Sequence, residues 1–455
     1  MLKEKQMKVN SINKLMILSL GLSLAQLSLA NEPWSQDRQW LLGNWNGERQ
    51  NLEEKGYKLN FGFQSESATN LDGGYNDDRE MLHAYQLTLA SQFDLEKIAG
   101  WDNTQASVMI TKRDGQALSA ERISDPRAAQ FSNVQEIYGR GQSWRLTQAW
   151  IKSGFLDNTL HFKIGRMGLS EDFNASHCEF QNLMLCGGQL GKTVGNIWYN
   201  GPVSQWGTNV KYQFLPEWSI AAGIYEINPE NTFEDRGFNL GMDDAEGILI
   251  PVELAWKPKL EMFNGLAGEY KVGTFYATAD ATDVKINQQG EIAVAASGRK
   301  IHDHKQSVWL NAQQQLTAPA NDSKRGLFAS ANFTWNDKAT TTVESSQQVA
   351  FWYKGMSDAR PNDSIGLGFA RFDVNDRVRD RQQYSNDLNN FTALNYSNPL
   401  YNPIQNDELN IELNYSFNWS PAIMLRPNIQ YVHQAGGVKQ VDDAWVFGLT
   451  TRFNF

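Results

Sequence analysis

The last residues of the sequence alternate between two kinds of side chain. From 444 to 455, one parity is mostly apolar and aromatic, and the other is mostly small or polar. The apolar parity holds Trp445, Phe447, Leu449, Thr451, Phe453 and Phe455, and the other holds Ala444, Val446, Gly448, Thr450, Arg452 and Asn454. Successive side chains of a strand point to opposite faces, so this pattern predicts a strand with one apolar and one polar face. It is typical of the last strand of a transmembrane β-barrel, although an edge strand of a soluble sheet also alternates.

The same alternation recurs along most of the chain and predicts about sixteen strands. They lie near 57–68, 82–93, 104–111, 144–155, 160–167, 205–213, 219–226, 247–257, 268–278, 304–316, 326–336, 343–354, 364–372, 409–419, 423–431 and 444–455. An even number lets an antiparallel barrel close with both ends of the chain on the periplasmic side. The uncertainty of strand ends leaves a count between about fourteen and eighteen open.

The connections between these strands sort by length. Turns such as 156–159 and 215–217 are short, and they alternate with long segments at 112–143, 168–204, 279–303 and 373–406. Misassigned strands would have scattered the long segments over both sides of the sheet. The sequence therefore predicts an all-β protein, a transmembrane antiparallel barrel over 57–455, wide enough to leave an aqueous channel.

The composition agrees with this interpretation. Hydrophobic residues make up 41% of the chain, the mean hydropathy is −0.51, and aromatic residues reach 12%. Such a chain is too polar for a bundle of membrane helices, whereas the aromatic surplus suits the girdles of a barrel. An aromatic-rich β-sandwich or lectin would have a similar composition.

The N-terminus predicts export. Four lysines precede an apolar segment from Leu15 to Leu29, and Ser28-Leu29-Ala30 forms a small-x-small cleavage site. We therefore expect a signal peptide at 1–30, with a membrane anchor as the alternative. Residues 31–56 form a short segment with a possible helix from Gly43 to Lys55. The formal net charge is −10, which argues against a nucleic acid partner.

The chain has two cysteines, Cys178 and Cys186. In an oxidising periplasm a local disulfide is expected. A metal site is the alternative, with His177 as the nearby third ligand, but the spacing matches no zinc pattern. No metal or other cofactor is predicted.

Several blocks of sequence between residue 42 and about 253 resemble the OprB-type carbohydrate-selective porins of Gram-negative outer membranes. The blocks are Leu42 to Arg49 with Glu54-Lys55-Gly56, Phe93 to Lys97 with Gly100-Trp101, Leu146 to Trp150, Gly165-Arg166-Met167 with Glu171-Asp172-Phe173, Cys178 to Cys186, Trp198 to Asn200 with Pro202 to Trp206, and Pro251-Val252-Glu253. The resemblance implies a sixteen-stranded barrel whose third extracellular loop, 168–204, folds into the lumen and narrows it. The disulfide would then stiffen the constriction.

A sugar-selective channel needs aromatic platforms and hydrogen-bonding side chains at several weak sites. Arg166, at the mouth of the narrowing loop, is the expected constriction cation. The other candidates, on the lumen parity or in the loop, are Lys163, Glu171, Asp172, Gln181, Asn182, Trp198, Trp206, Glu412 and Arg426. Trp198 and Trp206 could equally be girdle or packing residues.

Passive diffusion of small sugars across the outer membrane is the predicted function. A general or other-solute porin, a barrel enzyme and an adhesion module are the alternatives. His302-Asp303-His304 resembles a metal pair without further ligands, and no hydrolase or phosphate-loop motif occurs.

The expected partners follow from this location. They are the sugars themselves, outer-membrane lipid and lipopolysaccharide, and the barrel-assembly machinery, which would bind the C-terminal strand ending at Phe455. A homotrimer stays open as an alternative to a monomer.

Overall fold

The structure, a computed structural model, describes residues 34–319 and 322–455. The predicted signal peptide at 1–30 lies outside these residues. Sixteen long antiparallel strands form one closed barrel. Each strand pairs with its neighbour in sequence, and the first strand also pairs with the last. The predicted barrel is thus confirmed, and each predicted strand corresponds to an observed one.

The strands have the following bounds: β1 Tyr57–Gly74, β2 Leu82–Asp94, β3 Thr104–Gly115, β4 Trp144–Phe155, β5 Leu160–Met167, β6 Gln205–Leu215, β7 Trp218–Ile227, β8 Gly247–Trp256, β9 Leu266–Ala277, β10 Lys305–Gln315, β11 Gly326–Asn336, β12 Val343–Lys354, β13 Ser364–Val374, β14 Glu408–Ser420, β15 Ile423–His433 and β16 Asp442–Asn454. Three two-residue strands lie in the connections, at Lys259–Leu260, Ala281–Thr282 and Ile301–His302.

The helices are short and lie in the connections. The α-helices are α1 Glu48–Glu54, α2 Leu95–Ala99, α3 Leu190–Thr193 and α4 Asp376–Leu388. A π-turn lies at Ser119–Ile123, and 3-10 turns lie at Trp45–Gly47, Leu169–Glu171, Leu183–Leu185, Pro229–Thr232, Glu234–Arg236, Glu261–Phe263, Ala296–Gly298, Ala393–Asn395 and Ala435–Gly437. Within the part of the chain that the structure describes, no helix is both long and apolar enough to cross a bilayer.

The barrel closes through the pairing of β1 with β16. Gln64 lies opposite Arg452 on one side and opposite Gln86 of β2 on the other. Strand β1 runs six residues beyond its predicted end at 68, to Gly74. Pairing with β16 carries it through two register shifts, the second ending at Gly74, and local propensity alone does not predict such an extension.

The two faces of each strand differ in the way a lipid-embedded barrel requires. On β14, Glu408, Asn410 and Glu412 are 0% exposed, whereas Leu413 is 49% and Tyr415 is 36% exposed. Polar side chains therefore point inward and apolar side chains point outward, the inverse of a soluble sheet.

The long connections all lie at one end of the barrel, as the sequence predicts. Three of them matter below: loop L2 is residues 116–143, loop L3 is 168–204, and loop L4 is 228–246. At the opposite end several connections are very short, such as 216–217 and 421–422.

Replacing the outward-facing Val210 of β6, which is 40% exposed, with arginine tests the assignment of faces. A cation on the lipid face costs about 2–4 kcal/mol near the bilayer midplane, so we expect Val210→Arg to lower the free energy of unfolding by that order. Urea titration of protein folded into phospholipid vesicles measures it. Lys211→Arg, on the neighbouring inward position, is the control, and equal effects of the two variants would contradict the assignment.

Candidate solute pathway

Loop L3 is tethered to the inward face of β14 and β15. The carboxylate of Glu412 accepts the backbone N–H groups of Gln181, at 3.0 Å, and Asn182, at 2.7 Å. The side-chain amide of Asn182 donates to the oxygens of Asn410, at 2.8 Å, and Gln430, at 2.9 Å. All five residues are 0% exposed. Gln181, Asn182 and Glu412, three of the predicted lumen residues, thus lie together and hold the loop to the wall.

A second tether joins L3 to the wall formed by β8, β9 and β10. The backbone N–H of Asn174 donates to Glu253 at 2.8 Å. The carbonyl of Ala175 accepts from Lys271 and from Asn311, both at 3.2 Å. L3 therefore crosses between two separate parts of the barrel wall, with a polar bond network at each end.

A disulfide-closed ring of L3 begins between these tethers and ends after Asn182. Cys178 and Cys186 are joined by a disulfide. The predicted lumen residue Arg426 donates to Glu179 of this loop at 2.8 Å and to the hydroxyl of Ser416 at 2.7 Å. Arg426 is therefore a further contact between L3 and β14–β15.

The structure gives no support to the metal alternatives. Among residues 34–319 and 322–455, Glu136 with Cys178 and Cys186 is the one group with three ligand atoms within 4.8 Å of one another, and both sulfurs are in the disulfide. In the His302-Asp303-His304 motif, His302 bonds to Asp283 and His304 to its neighbour Asp303.

Loop L2 contacts L3 directly, which the sequence analysis did not predict. The N–H of Glu136 donates to the carbonyl of Gln181 at 2.9 Å, and the N–H of Leu183 donates to the carbonyl of Asn133 at 2.8 Å. Gln135, which is 0% exposed, fixes L2 to the wall by donating to the carbonyl of Glu66 at 2.9 Å. No local sequence signal distinguishes this role of L2, because its contacts are all long-range.

The space left by the two loops lies against β2, β3 and β4. A cavity of about 620 Å³ opens there, between the inward side chains of these strands and the residues of L2 and L3. We call its five charged lining residues the pathway charges: Arg113, Glu136, Arg140, Glu171 and Lys192. Gln86, Thr111, Tyr138 and Gln148 add polar groups. Cationic and anionic side chains thus face one cavity.

Of the pathway charges, only Glu171 is among the residues predicted from the sequence. Arg113 is not among them because the predicted strand ends at 111, whereas β3 continues to Gly115. Arg113 thereby takes the same inward parity as Thr111. The polar parity of Thr111 continues to Arg113, and this continuation is the sequence signal that would have extended the predicted strand.

Several pathway charges are held in place by neighbours. Arg113 donates to Gln86 at 2.8 Å, and Arg140 donates to Asn196 at 3.0 Å. The ammonium of Lys192 donates to the carbonyls of Leu183 and Cys186. Burial lowers the pKa of Lys192 to about 7, because removal from water disfavours the charged form.

The predicted residues Lys163, Glu171 and Asp172 form one ionic cluster. The Lys163 ammonium lies 2.8 Å from Asp172 and 3.4 Å from Glu171, and 4.7 Å from the centre of the Trp150 ring. Burial raises the pKa of Glu171, an effect that Lys163 opposes. The cluster joins the start of L3 to β5 next to the cavity.

The structure corrects the expectation for Arg166. This residue shares the outward parity of Phe162 and Ile164, is 2% exposed, and pairs with Glu226 at 3.3 Å. Its other contacts are to the carbonyl of Ser204 and to the side chain of Asn231 in L4. Arg166 therefore lies under L4 instead of facing the lumen. Strand alternation accounts for this position, because Arg166 is two residues from Ile164 and four from Phe162, whose side chains face the lipid.

The two candidate tryptophans both lie away from the cavity. Trp198 is 0% exposed, with ring centres of Phe275 at 5.7 Å and Trp309 at 5.6 Å. Trp206 lies opposite Arg166 in the register of β5 and β6, and its indole N–H donates to the carbonyl of Leu240 at 3.0 Å. Neither ring is among the residues that line the cavity.

Comparison with known proteins gives one consistent family. Residues 78–455 match the family model "Carbohydrate-selective porin, OprB family". The chain is 60% identical to "Putative porin QuiX" of Acinetobacter baylyi, covering 97% of this chain and 99% of that protein. It is 45% identical to Porin B of Pseudomonas aeruginosa, covering 95% of each.

A solved structure agrees with the sequence comparisons. The high-pH structure of Pseudomonas putida OprB is 45% identical, covers 93% of this chain and 100% of its own, and superposes with a TM-score of 0.90. Together with the closed sixteen-stranded barrel and its polar inward face, these matches show that the chain belongs to the OprB family of carbohydrate-selective porins of the outer membrane.

Proposed function

We propose that the protein passes small sugars by passive, non-enzymatic diffusion along the cavity beside β2–β4, and that L3, with L2, narrows the channel to that cavity. The observation that carries the proposal is the cavity lining itself, in which the pathway charges face one space between two tethered loops and the barrel wall.

The lining suits a neutral solute rich in hydroxyl groups. A hydroxyl both donates and accepts hydrogen bonds, so a sugar can bond to Arg113, Arg140 and Lys192 as acceptor and to Glu136 and Glu171 as donor. Charges of opposite sign in one passage partly cancel in their long-range field, which leaves short-range hydrogen bonding to select the solute. Several weak contacts in sequence allow release as well as entry.

The tethers hold L3 in place, as a loop that narrows a channel requires. A narrowing loop must keep its position against thermal motion, and the buried bonds from Glu412, Asn410 and Gln430 supply that restraint. Buried polar groups are costly to leave unpaired, so the loop and the wall stabilise each other.

A porin for other small solutes is the second candidate. The lining holds three cations against two carboxylates, so small anions could also enter. Swelling of liposomes that contain the purified protein separates the two functions. Faster swelling with sugars than with amino acids of similar size is expected, and rates that depend on size alone would reduce the protein to a general porin.

Removing the tether at Glu412 should widen the channel. Glu412→Ala leaves the N–H groups of Gln181 and Asn182 and the amide of Asn414 without this acceptor, at about 1–3 kcal/mol for each buried donor. We expect higher and noisier single-channel conductance in planar bilayers, with weaker sugar selectivity.

The control for this variant is Asn60→Ala. Asn60 is an inward-parity residue of β1 whose side chain makes no hydrogen bond with the residues described. The Asn60→Ala protein should conduct like the wild type. If Glu412→Ala conducts like Asn60→Ala, L3 does not narrow the channel.

Removing Arg113 should weaken sugar binding in the pathway. Arg113→Ala deletes hydrogen-bond donors that face the cavity. In a site open to water, each lost hydrogen bond weakens sugar binding by about 1 kcal/mol, which is roughly a fivefold loss of affinity. Block of ion current by a series of sugars measures the affinity. Lys354→Ala removes an inward cation of β12 that does not line this cavity and should leave affinity unchanged.

The charge of Lys192 should make ion selectivity depend on pH. With a pKa of about 7, the lysine is mostly an ammonium at pH 6 and mostly a neutral amine at pH 8. Selectivity should therefore shift towards cations as pH rises, which the reversal potential in a KCl gradient reports. Lys192→Met lacks the titrating group, so a shift of the same size in that variant would show that Lys192 is not its source.

A further inference from the structure

The segment 34–56 lies against the join between the first and last strands. The N–H of Leu41 donates to the carbonyl of Asn454 at 2.7 Å, and the N–H of Ala422 donates to the carbonyl of Arg38 at 3.1 Å. The indole of Trp419 donates to the carbonyl of Trp34 at 3.0 Å. The segment thus continues the hydrogen bonding of the sheet at the end opposite the long loops.

Arg49 of helix α1 bridges the join itself. One guanidinium nitrogen donates to the main-chain oxygen of Phe455, after β16, at 2.9 Å. Another donates to the carbonyl of Leu59, in β1, at 2.7 Å. The side chain is among the largest that are fully buried, with the residue 1% exposed. A single planar group therefore contacts both strands that must meet for the barrel to close.

Two tryptophans cover the guanidinium. Its central carbon lies 3.7 Å from the ring centre of Trp40 and 4.9 Å from that of Trp45, and Trp45 also stacks on Phe61 of β1, with ring centres 6.4 Å apart. Aromatic faces attract a cation, more strongly when water is excluded. Among residues 34–319 and 322–455, no Asp or Glu side chain forms an ion pair with Arg49.

This environment is favourable only in the closed barrel. Burying a cation is costly. Two nitrogens of Arg49 offset part of this cost by donating to Leu59 of β1 and to Phe455 after β16, while Nε has no partner among the residues described. Those two oxygens come together only when β1 pairs with β16. In an open sheet Arg49 would lack one of them, and the segment would lose its contacts with one of the two strands that it joins.

We propose that residues 34–56 form a seam latch, which docks after β1 pairs with β16 and uses Arg49 to hold the closed barrel against reopening. The end of β16 is then covered by a segment of the same chain. Docking also removes that strand end from any other chain that would bind it. The latch lies apart from the pathway charges and acts on the lifetime of the barrel instead of on transport.

The test compares Arg49→Ala with Lys55→Ala, which removes an exposed cation from the same segment. Unfolding in urea, in detergent micelles, is followed by tryptophan fluorescence. Loss of a charge-assisted hydrogen bond that the open barrel cannot form should speed unfolding by about tenfold, while Lys55→Ala unfolds like the wild type. Single-channel conductance and sugar block of the folded Arg49→Ala protein should match the wild type.

A second measurement separates undocking of the latch from a general loss of stability. Trypsin should cut Arg49→Ala after Arg38 while the barrel still migrates as a folded protein on an unheated gel, and the wild type should stay uncut there. Unfolding as slow as that of Lys55→Ala, with the segment uncut, would overturn the proposal.

If Arg49→Ala does not assemble, Arg49→Lys is measured in the same way. Lysine keeps the charge, but its compact ammonium lacks the planar fork that reaches two oxygens on different strands. Faster unfolding than the wild type supports the latch, and an unchanged rate rejects it.

Discussion

The hydrogen bonding of the main chain in lipid is the constraint on which the rest of the structure depends. Hydrocarbon offers no water to a peptide group, so an unpaired strand edge would cost several kcal/mol per group. Pairing of β1 with β16, from Gly62 opposite Asn454 upward, removes both edges at once. Closure then fixes an inside and an outside, and every strand must place its apolar parity on the lipid face.

Closure creates a second requirement inside the barrel. The inward parity is polar, and polar groups that become buried need hydrogen-bond partners. L3 supplies main-chain donors to Glu412, and L2 supplies the amide of Gln135 to the carbonyl of Glu66. The loops therefore lie where the wall presents acceptors, and the cavity beside β2–β4 lies between the loops and the wall.

This division explains what the sequence could predict. Alternation along a strand is a local property, so all the strands and the polar side of the barrel were accessible from it. The same rule, applied strictly, also identifies Arg166 as outward-facing. The hydrogen bonds from Gln181 and Asn182 to Glu412 join residues far apart in the chain. So does the docking of L2 on L3 through Asn133 and Leu183. No local pattern contains that information.

The candidate site shows why residue type alone does not identify a channel lining. Glu412 and Glu136 are both carboxylates inside the barrel, yet Glu412 accepts hydrogen bonds from the N–H groups of L3 whereas Glu136 faces the cavity. Arg426 and Arg113 differ in their contacts with L3, since Arg426 donates to Glu179 of that loop whereas Arg113 donates to Gln86 of the wall and lines the cavity beside β2–β4. If L2 and L3 narrow the channel as we propose, their docking decides which polar side chains remain free for solute, and two chains with the same strands could select different solutes through their loops alone.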